Sequence, residues 1–334
     1  MYDKLGESVL KTGERMEVGV IAAPDEPHAE EVKQFLGHKP GNYKWHIERC
    51  VTESLDALET RFYVGKLDGN VITNIMTVAH EGIGILGHVF TLPQHRRKGA
   101  CKGVMAYQME DFRQRAGRAL YLGTGYNSHP YYIYHSFGFE SVFPESGFMK
   151  YHVDSDFEKR YFARLERTST GKKVDAHPKP VEWHDWPKVT ALSAILEWDT
   201  LRSLAWGVYG PTNLEGGFLS FKHALETADV YDDAKLLIST GGAIVGWATV
   251  NRDVRWQPVA AVLDLFFHPN FTEDVPALLS AVKFPDAKVQ CYVDSNAEKK
   301  AAVLETAGFA CEGRFKDQFT YGGRHYDVLV FALE

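Results

Sequence analysis

The sequence predicts an α/β (α+β) chain of two tandem domains, and three observations predict it. Strand-like runs closed by turn residues alternate with helical stripes through the first half, a polar aperiodic stretch follows, and the same order of elements then returns. At 334 residues, 45% of them apolar, the chain is long enough for two ordinary cores of ~100–200 residues each.

Each element has its own local reason. An apolar run from Met16 to Ala22 reads as a strand, and Asp25-Glu26-Pro27 opens a helical pattern through Glu30, Val32, Phe35 and Leu36. Residues 61–67 and 71–78 flank Asp68-Gly69-Asn70, turn residues that tolerate positive φ, so they read as a hairpin. A strand from Ile83 to Thr91 stops at Pro93. The helix that follows carries Cys101, Met105, Met109, Phe112 and Ala116 on one stripe, and Gly117 is placed to end it. A short strand over 118–123, a Tyr-rich helix from about Pro130 to Phe137, and a strand over 139–143 complete the first set.

Residues 168–180 have linker composition, with Gly171, two lysines and Pro178-Lys179-Pro180. This divides the chain into a domain over 1–155, a linker over 156–180 and a domain over 181–334. In the last, a helix near 186–196, strands over 234–239 and 243–250 across Thr240-Gly241-Gly242, a strand over 260–267, Pro269 and a helix, a strand over 288–293, a helix over 297–307 and Gly308-Phe309 repeat the earlier order.

Composition narrows the function classes. A net charge of −7 and a pI near 6.1 argue against protein-wide attraction for nucleic acid or acidic membrane, so any polyanion site must be local. No apolar run approaches the ~20 residues of a membrane span and the first residues lack a signal-peptide pattern, which predicts a cytoplasmic protein without membrane association. Cys50, Cys101, Cys291 and Cys311 show no CxxC spacing, so neither a metal site nor a disulfide framework is expected.

The chemically informative stretch runs from Thr91 to Gly103, between a strand end and a helix start. Backbone N–H groups in the first turn of a helix lack intrahelical partners and sit at the positive end of its dipole, a setting that suits phosphate. Gly99 and Ala100 let a bulky anion approach the backbone, while Arg96, Arg97, Lys98 and Lys102 supply charge in an otherwise acidic chain. Four cations oppose the dipole there, which makes a purely structural role uncomfortable. The stretch reads as a pyrophosphate cradle.

At these residues the sequence resembles the GNAT superfamily of acyltransferases, whose phosphate loop is Arg/Gln-x-x-Gly-x-Gly/Ala. Here it is Arg96-x-x-Gly99-x-Cys101, with Cys in place of the final small residue. Asn127 and Tyr134-His135-Ser136-Phe137-Gly138-Phe139 resemble the family's later motif, an Asn followed by Tyr-x-x-x-Gly-Phe. The resemblance covers residues 15–152 strongly and 180–334 weakly. It implies tandem GNAT-like domains, each a mixed, mainly antiparallel sheet flanked by helices, and an N-acetyltransferase in which a small-molecule primary amine attacks acetyl-CoA directly in a ternary complex. Val89, Phe90 and Thr91 would face the pantetheine arm. Arg96, Arg97, Lys98, Gly99, Ala100, Cys101 and Lys102 would hold the diphosphate, with Asn127 also at the cofactor, and Tyr134 would be the general acid. His88 and Glu81 are the first candidates for general base, His129 and His135 the next, and a water chain could replace them all. A monomer or homodimer is expected.

The second copy provides an internal comparison. Counting from Pro269 as from Pro93, the cations become Thr272, Glu273 and Asp274, Gly99 becomes Val275, and the position of Tyr134 becomes Leu304. This domain is expected not to bind CoA, and to complete the acceptor cleft with Trp198, Trp206 and Tyr209 or to form an oligomer interface. Two other classes fit less well: a non-catalytic acyl-CoA sensor that keeps the cradle but lacks a productive base, and aminoacyl transfer from tRNA, for which the acidic chain offers no basic track.

Overall fold

Asp68 and Gly69, with φ of 50° and 80°, close the expected hairpin where the turn residues predict it, and the antiparallel sheet extends to either side. In the computed structural model, which describes residues 1–164, 176–196, 199–227, 231–253 and 260–334, the elements run in order. The first set is β1 (Tyr2–Val9), β2 (Arg15–Ala23), α1 (Glu26–Phe35), α2 (Gly41–Cys50), β3 (Glu59–Leu67), β4 (Asn70–His80), β5 (Ile83–Thr91), α3 (Ala100–Gln114), β6 (Ala119–Gly123), α4 (His129–His135), β7 (Glu140–Ser141), β8 (Phe148–His152) and α5 (Phe157–Tyr161). There follow β9 (His177–Pro180), α6 (Trp186–Leu192), α7 (Glu215–Thr227), β10 (Tyr231–Ile238), β11 (Ile244–Arg252), β12 (Ala260–Phe267), α8 (Val275–Ala281), β13 (Lys288–Asp294), α9 (Glu298–Thr306), β14 (Ala310–Tyr321) and β15 (Arg324–Leu333).

Two sheets result. One is ordered β1-β2-β3-β4-β5-β6-β8-β7 and the other β14-β15-β13-β12-β11-β10-β9. Each is antiparallel except for one pair, β5 with β6 and β12 with β13. Read from that pair outward the two orders coincide except that β1 has no counterpart in the second sheet, so the recurrence in the sequence is a recurrence of topology, and the chain has the tandem α/β (α+β) architecture expected.

The chain divides into two compact units: Met1–Phe157 with Glu182–Ala191 and Asn213–Phe221, and Glu158–Val181 with Leu192–Thr212 and Lys222–Glu334. Two segments lying beyond residue 180 thus belong with the first sheet. Of the expected linker, 165–175 lie outside the described residues, while His177–Pro180 form β9 on β10, two prolines being tolerated on an edge strand.

In the first unit α3 buries Val104, Met105, Met109 and Phe112 against the sheet, each worth roughly 1.5–3 kcal/mol. That helix ends at Gln114, earlier than Gly117: Ala116 takes the left-handed turn at φ 57°, and the Gly117 N–H reaches back to the Phe112 carbonyl at 2.8 Å. In the second unit Trp206 packs edge-on against Trp247 and Tyr209 stacks on Phe319 at 4.5 Å. Trp198 lies outside the described residues. No helix among the described residues is long and apolar enough to cross a membrane.

Candidate active site

The site begins with an irregularity in β5. Asn74 faces Phe90 and Met76 faces Gly87, so Ile75 alone opposes both His88 and Val89, and His88 takes a φ of 49°. A bulge of this kind bends the strand. The Asn74 side chain fixes it by donating to the His88 carbonyl at 3.1 Å. On the other side β6 pairs with β5 only from Ile83 to Ile85, so the edge of β5 beyond that point is open to a strand-like ligand.

At the end of β5 the chain turns into α3. Leu92 and Arg96 are extended, Arg97 and Gly99 take positive φ of 63° and 92°, and the first turn of α3 follows with its N–H groups free of intrahelical partners. Gly99 is required here because a β-branched residue at that φ would be strained. Arg96 is positioned by its Nε–H, which donates to the Thr91 carbonyl at 3.0 Å, and its guanidinium lies over the Phe90 ring.

These elements enclose a cavity of about 790 Å³ lined by Val89, Phe90, Thr91, Arg96, Arg97, Gly99, Ala100, Cys101, Lys102 and Tyr134, all expected from the sequence. Lys11, His95, His129, Pro130 and Ile133 complete the wall. Lys98 is not among the lining residues: its carbonyl accepts from the Lys11 N–H at 2.9 Å, and Lys11 faces the cavity in its stead. Asn127 does not line it either, being exposed and accepting from the Tyr132 hydroxyl at 3.1 Å. The Cys101 thiol is pushed up to about 11 by burial, so at neutral pH it is a small apolar wall residue.

A second cavity of about 410 Å³ lies alongside, lined by Lys39, Pro40, Tyr43, Leu86, Gly87, His88, Val89, Gly123, Thr124, Pro130, Tyr134 and Glu215. Val89, Pro130 and Tyr134 belong to both walls. Tyr134 is 5% exposed, and its phenol is raised above its ordinary range, mostly by burial and then by Cys101 and Glu215 nearby. It therefore stays protonated at neutral pH. Ser128 sets its helix, accepting from the Tyr131 N–H at 3.3 Å as an N-cap.

Glu215 is the residue sequence reasoning missed. It stands at the start of α7, 9% exposed, and burial pushes its carboxyl up to about 7 against the opposing pull of Asn213 and Lys39. Asn213 holds it twice: its Oδ1 accepts from the Glu215 N–H at 3.1 Å and its Nδ2 donates to Oε2 at 3.4 Å. Two glycines admit this segment. A β-carbon at Gly87 would stand 2.5 Å from Glu215 Oε1, and one at Gly123 would collide with Asn213 Nδ2.

The base candidates from the sequence are placed differently. His88 lines the second cavity, but burial and then His46, Lys39 and His38 hold its imidazole well below the usual range, and its buried Nε2 has no hydrogen-bond partner. Glu81 is not brought to either cavity. It sits in the β4–β5 turn at φ 50°, bound to Lys188 Nζ at 2.6 Å, which holds its carboxyl low. His129 lines the first cavity, and exposed His135 lines neither.

The corresponding loop of the second unit is built otherwise. Glu273 and Asp274 lie 3.5 and 2.9 Å from the Arg164 guanidinium, Val275 is an ordinary helical residue at φ −63°, and Leu304 is fully buried.

Several solved structures align with about half of the chain. A GNAT superfamily phosphinothricin acetyltransferase from Sinorhizobium meliloti, in complex with acetyl-CoA, is 15% identical over 47% of this chain and 87% of its own, with a TM-score of 0.39. A putative acetyltransferase from Salmonella typhimurium, with acetyl-CoA as its cofactor, is 11% identical over 48% and 94%, with a TM-score of 0.38. A spermidine N-acetyltransferase from Vibrio cholerae, in complex with CoA and spermine, is 15% identical over 48% and 95%, with a TM-score of 0.36. No family model and no curated protein matches the chain.

Proposed function

We propose that the protein is an acetyl-CoA-dependent N-acetyltransferase acting on a primary amine. One observation carries this reading: a cavity with a cationic helix-start cradle at one end and an open strand edge along its side shares Tyr134 with a second, smaller cavity that holds a buried carboxylate. The residues fit the co-substrate. The free N–H groups of α3 with Arg97, Lys102 and Lys11 would hold the diphosphate, and the open edge of β5 at Val89 and Thr91 would pair with the pantetheine amides.

Acetyl-CoA supplies the thioester, whose C–S bond breaks as the C–N bond to the amine forms. Glu215 takes the first proton from the acceptor ammonium, which with a pKa near ~10 carries one at neutral pH. The Tyr134 hydroxyl gives its proton to the leaving sulfur. The second proton of the nitrogen, released as the amide forms, restores the phenol through solvent.

Replacing Tyr134 by Phe tests this. We expect kcat, measured as thiol release, to fall ~10²–10⁴-fold while acetyl-CoA binds as before in calorimetry. A protein that binds acetyl-CoA and shows no turnover with any amine would be a sensor instead.

A further inference from the structure

Resting on the reading above, the second cavity also names its acceptor. Two opposite charges face it from different elements: Glu215 from the first turn of α7, and Lys39 from the loop ahead of α2. They influence each other electrostatically without forming an ion pair, and among the described residues no carboxylate lies within 4 Å of the Lys39 ammonium. The remaining wall is neutral, from Pro40, Leu86 and Val89 to the hydroxyls of Tyr43 and Thr124.

A half-buried ammonium that lacks a counter-ion has an unfilled electrostatic requirement. An acceptor with only cationic groups would worsen it, since a diamine would set its second ammonium against Lys39. An acceptor with an anionic group would satisfy it. The volume, about 410 Å³, is at the low end of the ~300–1,000 Å³ typical of ligand pockets and suits a molecule of amino-acid size. We infer that the acceptor is a small zwitterion, an amino acid or close relative, with its amine at Glu215 and its anionic group at Lys39.

The test uses the full chain with acetyl-CoA and reads thiol release with glycine, β-alanine, 4-aminobutanoate, the amide of each, and 1,4-diaminobutane. We expect at least one of the acids to exceed its amide in kcat/KM by ~10-fold or more. Lys39→Met should raise KM for that acid ~10-fold more than for its amide, any change in kcat through Glu215 being common to both, whereas Lys39→Arg should keep the preference. An amide or the diamine used as well as the acids, or no turnover of any acid by a protein that binds acetyl-CoA, overturns the inference alone. No binding of acetyl-CoA to the wild-type chain in calorimetry overturns the acetyltransferase reading and the inference with it.

Discussion

Glu215 and Gly87 approach so closely that Oε1 of the carboxylate lies 2.5 Å from the point where a β-carbon at position 87 would stand. The contact joins the start of α7 to the strand just before its bulge, and it places the carboxylate in the smaller cavity. Gly87→Ala must therefore push the carboxylate aside or shift the strand. We expect kcat to fall ~10–100-fold, as when a catalytic group is misplaced by about an ångström, with acetyl-CoA affinity kept. Thiol-release kinetics beside calorimetry checks both halves; an unchanged kcat would separate Glu215 from the chemistry.

The same carboxylate makes a pH prediction for the fold. Its folded value is about 7, raised by burial from an ordinary 4.5. A raised carboxyl binds its proton more tightly folded than unfolded, so its contribution is full below the unfolded value and is lost as pH rises through the folded one. The loss is ~3 kcal/mol across that window. Groups facing it are Lys39 on the loop ahead of α2, Tyr43 on α2, His88 on β5 and Tyr134 on α4. Glu215→Gln lacks this titration. Urea unfolding should show the variant gaining on the wild type between pH 4.5 and 7.5; a constant difference between the two proteins across that range would contradict a raised carboxyl.

The helix start that lines the larger cavity was legible in the sequence and the Glu215 carboxylate was not, for physical reasons visible in α3 and α7. The hydrophobic stripe of α3 and the strand stop at Pro93 are local signals, and they place Gly99 at a helix start without any knowledge of the rest of the fold. Glu215 has no such local signal. Gly216 and Gly217 in the first turn of α7 depress helix propensity, and the helix went unrecognised; its position beside β5 depends on packing between residues far apart in sequence. β1 is similarly opaque, a charged edge strand whose Lys4 pairs with Glu7 and Glu17 rather than an apolar run. The short Tyr-rich helix α4, and with it Tyr134, is legible because Pro130 marks its start.

The loop itself separates cations that line the larger cavity from one that does not. Arg97 and Lys102 line the larger cavity, while Lys98 does not. Arg97→Ala should weaken acetyl-CoA ~10-fold or more, in line with the loss of a charge-assisted hydrogen bond of ~1.5–3 kcal/mol, and the loss should shrink at high salt. Lys98→Ala should change affinity less than twofold. Calorimetry at two salt concentrations distinguishes this pattern from a diffuse cationic patch, in which both variants would lose equally.

Stoichiometry follows from comparing the two helix starts. Where the first unit has a left-handed glycine at φ 92° and cations at the cavity, the second has Val275 at φ −63° and two carboxylates drawn to Arg164. An anion approaching Val275 would meet a β-branched side chain and the charges of Glu273 and Asp274, a like-charge encounter that disfavours diphosphate. The position equivalent to Tyr134 is Leu304, which has no proton to give and is packed in the core. Titration of the full chain should therefore saturate at one acetyl-CoA per chain, and Gly99→Val, which strains the first cradle at its positive φ, should remove that single event rather than half of a double one. Two equivalent binding events per chain, or a full one surviving in the Gly99→Val protein, would show that the second loop binds diphosphate despite its carboxylates.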